Sequence, residues 1–278
     1  MASGLSRVAV TGGGGFIGQS AALCLREAGH AVAVLDLPEY DVRTLRELPR
    51  VDAVIHLAGV LGTAELFDRA RDAVEVNVGG TVNVLEACHA ACARYVGITL
   101  PPVFPSVYTA TKIGAREMER AYHHGFGLPV SRVRAFNVYG PGQKHGPGHP
   151  QKIVPAFAVE AHAGRPIPIW GDGTQTVDLV HVDDLGCMLT EALSYGHDET
   201  FDCGTGEAFS VNDVADMVLT ITGSKAGVRH LPMRRGEAPT KIVAEGEGWE
   251  RLGWRPRFNE QAFAETVESY RDHPAVAG

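Results

Sequence analysis

The sequence predicts an α/β protein: a parallel sheet wound on both faces by helices, followed by a smaller C-terminal α/β lobe. Three observations point there. Short apolar runs alternate with helical patterns through the first half, a run of glycines separates the first strand from the first helix, and the pattern changes at a Gly/Pro-rich stretch near residue 140. With 278 residues, 45% of them hydrophobic and 21% charged, the chain can bury a large core and is unlike a disordered one.

The segments 7–11 (RVAVT), 31–35 (AVAVL), 53–57 (AVIHL), 94–98 (RYVGI) and 130–134 (VSRVR) read as strands. Their nearly unbroken apolar character fits a sheet buried on both faces. Helical stretches lie between them near 15–29, 65–93 and 107–126, with a shorter one near 43–48. The stretch 137–150 (NVYGPGQKHGPGHP) holds four glycines and three prolines and reads as an irregular functional loop. Beyond it the pattern gives a helix near 151–163, strands near 167–170 and 177–181 and a helix near 183–195. A strand near 200–203 and a helix near 211–222 follow. These belong to a lobe over the C-terminal edge of the sheet, where doubly wound folds bind ligands.

A net charge of -8 argues against a general binder of nucleic acid or anionic membrane, which needs a positive surface. No run of about 18 apolar residues is present, so no membrane span is expected. The residues from Met1 to Arg7 lack the apolar stretch of a secretory signal. Cysteines stand at 24, 88, 92, 187 and 203; the odd count points to free thiols in a reducing compartment, hence a cytoplasmic protein. Cys88 and Cys92 share a helix face, but with no second pair they read as small buried residues rather than as metal ligands.

Directly after the first strand comes Thr11-Gly-Gly-Gly-Gly-Phe16-Ile17-Gly18. Chain reversal, close approach of backbone to a pyrophosphate and tight packing of helix on strand each require a missing side chain, at Gly12, Gly15 and Gly18. The helix that begins at Phe16 and Ile17 offers free amides and a positive dipole end to phosphates. Asp36 ends the second strand, close to the spacing of about 20 residues for an acid that binds a ribose diol. Its carboxylate would repel a 2′-phosphate, and Leu37 and Pro38 follow it rather than Arg, so the cofactor expected is NAD. The fold is therefore expected to be Rossmann-type, with residues 1–137 as the NAD-binding domain, also receiving part of 171–205. Residues 138–278 would form mainly a substrate-binding lobe.

Tyr108-Thr-Ala-Thr-Lys112 places a phenol and an amine on one face of a helix. A phenol of ordinary pKa about 10 is a poor base at neutral pH. A neighbouring ammonium and the cationic nicotinamide favour the phenolate, so Tyr108 is expected to remove a hydroxyl proton as hydride leaves the same carbon, with Lys112 also holding the nicotinamide ribose.

At this point the sequence resembles the extended short-chain dehydrogenase/reductase family of NAD-dependent nucleotide-sugar epimerases and dehydratases. The resemblance runs over nearly the whole chain: TGGGGFIG at 11–18, Asp41-Val42, His56-Leu-Ala-Gly59, Asn77-Val-Gly-Gly-Thr81 and YTATK at 108–112. It continues through RAFNVYGPG at 134–142, Gly171-Asp-Gly173, His181-Val-Asp-Asp184 and Leu252-Gly-Trp254. The resemblance implies that Asp41 and Val42 border the adenine and that Leu57, Ala58 and Gly59 line the ribose and phosphates. It also counts Leu37 and Asn77 among the cofactor's neighbours and sets Phe136 beside the nicotinamide. On the substrate side it implies Asn137 as donor to a phosphate, Trp170 against the nucleotide base, and Arg234 and Glu237 on the diphosphate and ribose. The apolar stripes near 65–93 and 109–126 would then build the four-helix interface of a homodimer.

Two departures narrow the reaction. The loop between the fourth strand and Tyr108 is short, leaving Thr99 as the hydroxyl for the reacting oxygen, with Ser106 a weaker candidate. Family 4,6-dehydratases carry an Asp-Glu pair after that Thr, and decarboxylases a Glu; this chain has Leu100 and Pro101. Reversible oxidation at one carbon remains, which is 4-epimerisation through a transient 4-keto sugar. The alternatives are a dehydratase or net dehydrogenase of the same family, and a non-catalytic NAD-binding or sensing protein. Second, relatives place Arg before Asp178 to pair with a diphosphate, whereas this chain has Val177; Lys144, Lys152 and Arg235 are the possible substitutes.

Overall fold

The computed structural model describes residues 7–101 and 103–277; the N-terminal residues 1–6 considered above for a leader, and Pro102, lie outside it. In chain order the elements of the first half are β1 (Arg7–Thr11), α1 (Phe16–Glu27), β2 (Ala31–Leu35), β3 (Ala53–His56), α2 (Ala70–Val74), α3 (Gly80–Ala91), β4 (Arg94–Thr99), α4 (Val107–Phe126) and β5 (Val130–Ala135). Then come β6 (Asn137–Tyr139), α5 (Ile153–His162), β7 (Ile167–Trp170), β8 (Thr176–Val177), β9 (Leu179–His181), α6 (Val182–Glu191), β10 (His197–Cys203), β11 (Phe209–Ser210), α7 (Val211–Thr222) and β12 (Val228–Leu231). Three short helices close the chain: α8 (Trp249–Leu252), α9 (Glu260–Glu268) and α10 (Pro274–Ala277).

Six strands form one parallel sheet in the order β10-β5-β4-β3-β1-β2. The chain reverses its winding direction between β1 and β3, and the crevice beyond their C-terminal ends is the usual ligand position of such sheets. Side chains alternate across the sheet. Val8, Val10, Ile55, Val96 and Val133 pack with Ala21 and Leu25 of α1 and Leu185 and Leu189 of α6. Ala9, Val54, Tyr95 and Val130 face the other way, onto Val84, Leu85 and Cys88 of α3. Each of these large side chains contributes about 1.5–3 kcal/mol by leaving water. A third core, built around Tyr139, Phe157, Ile169, Leu179, Val214 and Phe263, holds the smaller lobe. Among the described residues no helix is long and apolar enough to cross a membrane.

The α/β class follows the sequence reading, and several details differ. No helix forms over 43–48: Asp41 accepts the Arg43 amide at 3.0 Å and its carbonyl the Thr44 amide, giving one turn. Six residues ahead of Pro49 are too few to propagate a helix. The stretch expected as one helix near 65–93 is a 3-10 turn, α2, a π-turn over Glu75–Gly79 and α3. The strand expected over 177–181 is two strands in two small sheets, β8 with β11 and β9 with β6. They part at Asp178, whose buried carboxylate accepts from the Thr205 hydroxyl and the amides of Thr205, Gly206 and Ala244. The irregular segment begins after β6 rather than at Asn137, because 137–139 finds β9 as a parallel partner.

Candidate active site

The glycine run forms the turn between β1 and α1. Gly12 has φ 66°, and a Cβ there would stand 2.7 Å from the Ala58 amide nitrogen after β3. A Cβ on Gly18 would stand 2.3 Å from the Gly12 carbonyl oxygen. Gly15 caps α1 with no side chain, so no capping side chain takes up the amides of the first turn, at Phe16 and Ile17. Asp36 closes the turn from the side: one carboxylate oxygen accepts the Gly14 amide at 2.8 Å and the other the Leu37 amide at 2.8 Å. A bare backbone concavity at a helix N-terminus with an acid at its rim fits a dinucleotide.

Along the crevice, Leu57 and Ala58 hang from Thr11 through amide bonds of 3.0 Å to its carbonyl and 3.4 Å to its hydroxyl. Gly59 is exposed beside them, and a Cβ there would meet Asn77 Oδ1 at 3.1 Å. Asn77, in the π-turn, is buried; its Oδ1 accepts the Val60 amide at 2.8 Å and its Nδ2 donates to the Val60 carbonyl and the Thr111 hydroxyl. It thereby ties the β3 loop to α4 one residue before Lys112. Val42 is buried against Gly80, and Asp41 pairs with Arg43, whose guanidinium holds the Asp41 carboxyl below its usual range.

Beneath these residues His56 bridges Thr11 (Nδ1, 2.7 Å) and Thr81 (Nε2, 3.1 Å). The Thr81 hydroxyl donates to the Asn77 carbonyl, so Nε2 carries the ring proton and Nδ1 accepts from Thr11. Burial, and secondarily the charge of Lys112, push this imidazole down to about 3. It is a neutral strut.

Thr99 ends β4, at the same edge of the sheet as the glycine turn. It is buried, and its hydroxyl makes no hydrogen bond to a described residue. Ser106 has a different place from the one weighed for it: it is the N-cap of α4, accepting the Thr109 amide at 3.1 Å. Tyr108 and Lys112 follow on the first turns of that helix; the Tyr108 carbonyl accepts from the Thr111 hydroxyl at 2.9 Å, while the phenol and the Lys112 amine make no hydrogen bond to a described residue. Burial raises the Tyr108 phenol to about 12 and lowers the Lys112 amine, which Glu119 partly offsets. The phenol is thus less acidic than the Tyr-Lys spacing alone implies, because desolvation opposes the phenolate.

Sequence reasoning missed the charges under α4. Glu119 is buried and accepts from the Tyr95 hydroxyl at 2.9 Å and from Arg132 Nε at 2.5 Å. Arg132, 2% exposed in the middle of β5, also donates to Asp198 at 2.6 Å. Gly97 makes room, since a Cβ there would stand 2.5 Å from Glu119 Oε1. A signal existed: Glu119 lies seven residues beyond Lys112 on the same helix, and Arg132 interrupts an apolar strand.

On the lobe side, Phe136 follows β5 with its amide bonded to the Cys203 carbonyl at 3.2 Å, and the Asn137 amide donates to the Asp178 carbonyl at 2.9 Å. The Asn137 side chain has no hydrogen bond to a described residue. Val177 is buried in the lobe core. Trp170 ends β7 with its ring 5.7 Å from the Arg234 guanidinium and its buried Nε1 without a hydrogen-bond partner among the described residues. Arg234 and Glu237 hold each other in a two-bonded pair, and Glu65 lies 3.7 Å from the same guanidinium. The Lys152 amine, lowered by burial, sits under the influence of Glu65 and Arg234.

A family model described as the NAD dependent epimerase/dehydratase family matches residues 8–204. The UDP-glucuronate 4-epimerase of Thermodesulfobacterium geofontis is 28% identical over 247 residues, 81% of this chain and 74% of that protein. Among solved structures, the UDP-glucose 4-epimerase of Thermotoga maritima with UDP-glucose aligns at TM-score 0.87 and 26% identity, covering 95% of this chain and 98% of that one. A dTDP-glucose 4,6-dehydratase from Streptomyces venezuelae with NAD bound aligns at TM-score 0.83 and 28% identity, covering 96% and 97%.

Proposed function

Because the chain belongs to the NAD-dependent epimerase/dehydratase family, we propose that it is a nucleotide-sugar 4-epimerase working through a transient 4-keto sugar. The observation that carries this choice within the family is the loop from Leu100 to Ser106, which contains no carboxylate to eliminate water or assist loss of carbon dioxide. Bound NAD supplies a two-electron acceptor that returns what it takes. The chain's own residues handle the proton and the geometry. Tyr108 takes the proton of the C4 hydroxyl and later gives it back, and Thr99 holds the reacting oxygen by a hydrogen bond. Lys112 supports the phenolate and holds the cofactor's ribose. A phenol near 12 needs that support together with the positive charge of the oxidised ring, at about 1.4 kcal/mol for each unit of acidity gained.

For the cofactor we assign Gly12, Gly15, Phe16, Ile17, Gly18, Asp36, Leu37, Asp41, Val42, Leu57, Ala58, Gly59, Asn77, Tyr108, Lys112 and Phe136. Asn137, Trp170, Arg234 and Glu237 are assigned to the nucleotide sugar, which must open or share the Arg234–Glu237 pair. Lys152 stands beside that pair as the diphosphate ligand that Val177 cannot be. Residues 1–137 with part of 171–205 then form the cofactor unit, and 138–278 mainly the substrate lobe. Val74, Ile113 and Met118 leave apolar surface on α2 and α4, which supports pairing of two copies through those helices.

The test is incubation with UDP-glucose, UDP-galactose and UDP-glucuronate in turn, with products read by proton NMR and nicotinamide absorbance. The C4 epimer should form without net NADH. Stoichiometric NADH would make the protein a net dehydrogenase, and a 4-keto-6-deoxy product a dehydratase. NAD binding with no turnover of any nucleotide sugar would leave the sensing role.

A further inference from the structure

We propose that Cys24 and Cys187 form a thiol pair that closes to an intramolecular disulfide on exposure to a hydroperoxide, a modification site independent of the reaction proposed above. Cys24 lies in α1 and Cys187 in α6, 163 positions apart in the chain, with their sulfurs at 2.8 Å. A disulfide is about 2.05 Å long, so the sulfurs need to close by under about 1 Å.

The two helices are held at this distance by contacts that do not involve the cysteines. The Ser20 hydroxyl lies 3.1 Å from the Val182 carbonyl and 3.0 Å from Asp183 Oδ1. Gly186 brings α6 close enough that a Cβ there would stand 2.5 Å from Ser20 Oγ. Rigid elements therefore present the two sulfurs to each other, rather than a loose pair of side chains.

The remaining three cysteines lack this arrangement. Cys88 and Cys203 are buried, and Cys92 is exposed with no sulfur neighbour among the described residues. Cys187 is exposed and Cys24 buried, so an oxidant meets Cys187 first. The two sulfurs share one hydrogen bond, while burial raises both thiols and makes the reaction slow.

In the first step the Cys187 sulfur attacks a peroxide oxygen; an S–O bond forms, the O–O bond breaks, and the leaving oxygen takes up a proton. The Cys24 sulfur then attacks the sulfenic sulfur; the S–S bond forms, the S–O bond breaks, and water leaves with the Cys24 proton. Each sulfur gives up one electron and the peroxide gains two.

Such a bond closes a loop of 163 positions and ties the helix that starts at the glycine turn to the one that packs beside it on the sheet. Long-loop closure restricts the unfolded chain most, and a rise in Tm of about 5–10 °C is expected.

The experiment uses the full reduced protein, treated for hours with a tenfold excess of hydrogen peroxide. Free thiols are then blocked in denaturant and the peptides mapped by mass spectrometry. Of the five thiols, the two at 24 and 187 should be lost together as one linked peptide, and reductant should restore both along with the original Tm. Cys187→Ser, at an exposed position that leaves folding intact, should show no linked peptide and no peroxide-dependent Tm. Recovery of both cysteines as free thiols, irreversible oxidation of Cys187 with Cys24 still free, or a link through Cys92 would each overturn the proposal.

Discussion

Gly18→Ala tests most directly whether the glycine turn makes a cofactor site. The new methyl carbon would sit 2.3 Å from the Gly12 oxygen, 2.6 Å from Gly13 Cα and 2.8 Å from the Gly13 carbonyl carbon. Carbon contacts settle near 3.5 Å, so roughly 1 Å of separation must be found. All three neighbours are backbone, and the turn is pinned by bonds from the Gly12 amide to the Leu35 carbonyl at 2.8 Å and from the Gly14 amide to Asp36. The strain therefore falls on α1, at about 1–3 kcal/mol of stability, and moves the amides proposed to face the pyrophosphate. We expect NAD to bind about 10- to 100-fold more weakly, equivalent to about 1.4–2.8 kcal/mol. Gly15→Ala is the graded comparison, because its only close contact is the Gly12 oxygen at 3.1 Å, which needs a few tenths of an ångström. Urea unfolding should rank wild type above Gly15→Ala above Gly18→Ala, and calorimetric titration should show weaker NAD binding than wild type for both variants. If folded Gly18→Ala binds NAD within twofold of wild type, the turn does not position the cofactor in the way argued.

Three further predictions follow from the same site. Tyr108→Phe should lower kcat by about 10²- to 10⁴-fold while NAD affinity stays within twofold; an unchanged kcat removes the phenol from the mechanism. His56 is held near 3 when folded against 6.5 ordinarily, so its neutral form stabilises the fold fully above about 6.5. As pH falls through that window the unfolded chain binds a proton that the fold refuses, and stability drops by up to about 1.4 kcal/mol per pH unit. Tm followed across the window should fall more steeply for wild type than for His56→Gln, and equal slopes would place the acid sensitivity elsewhere. Glu119→Gln removes one partner of a buried pair and should lower unfolding stability by about 3 kcal/mol in urea. It also removes the negative charge that raises Lys112, so the alkaline limb of the activity profile should move to lower pH; an unmoved limb would restrict Glu119 to a structural role.

Most of the strands, and α1, α4 and α7 among the helices, were legible because their signals are local. The period of burial in α4, the Ser106 cap at its start and the Gly127 stop at its end are written within 22 residues of one another. The same holds for the glycine turn and the Tyr108–Lys112 spacing. The stretch 43–48 misled because an apolar pair, Leu45 and Leu48, marks burial without saying which backbone buries it. The segment 177–181 read as one strand because nothing near Asp178 announces that its carboxylate will gather amides from 205, 206 and 244.

By itself, the sequence determined the fold class, the glycine turn and the face of α4 that carries Tyr108 and Lys112, since each depends on residues a few positions apart with a fixed helical or strand period. Only the tertiary structure decided that β10 joins β5 at the sheet's edge, that Arg132 lies buried between Glu119 and Asp198, and that Cys24 meets Cys187. It also turned Val177 into the lobe core and closed Arg234 upon Glu237. Such partners are chosen by how packed layers bring distant segments together, and a desolvated charge or thiol takes its character from whichever groups that packing places around it.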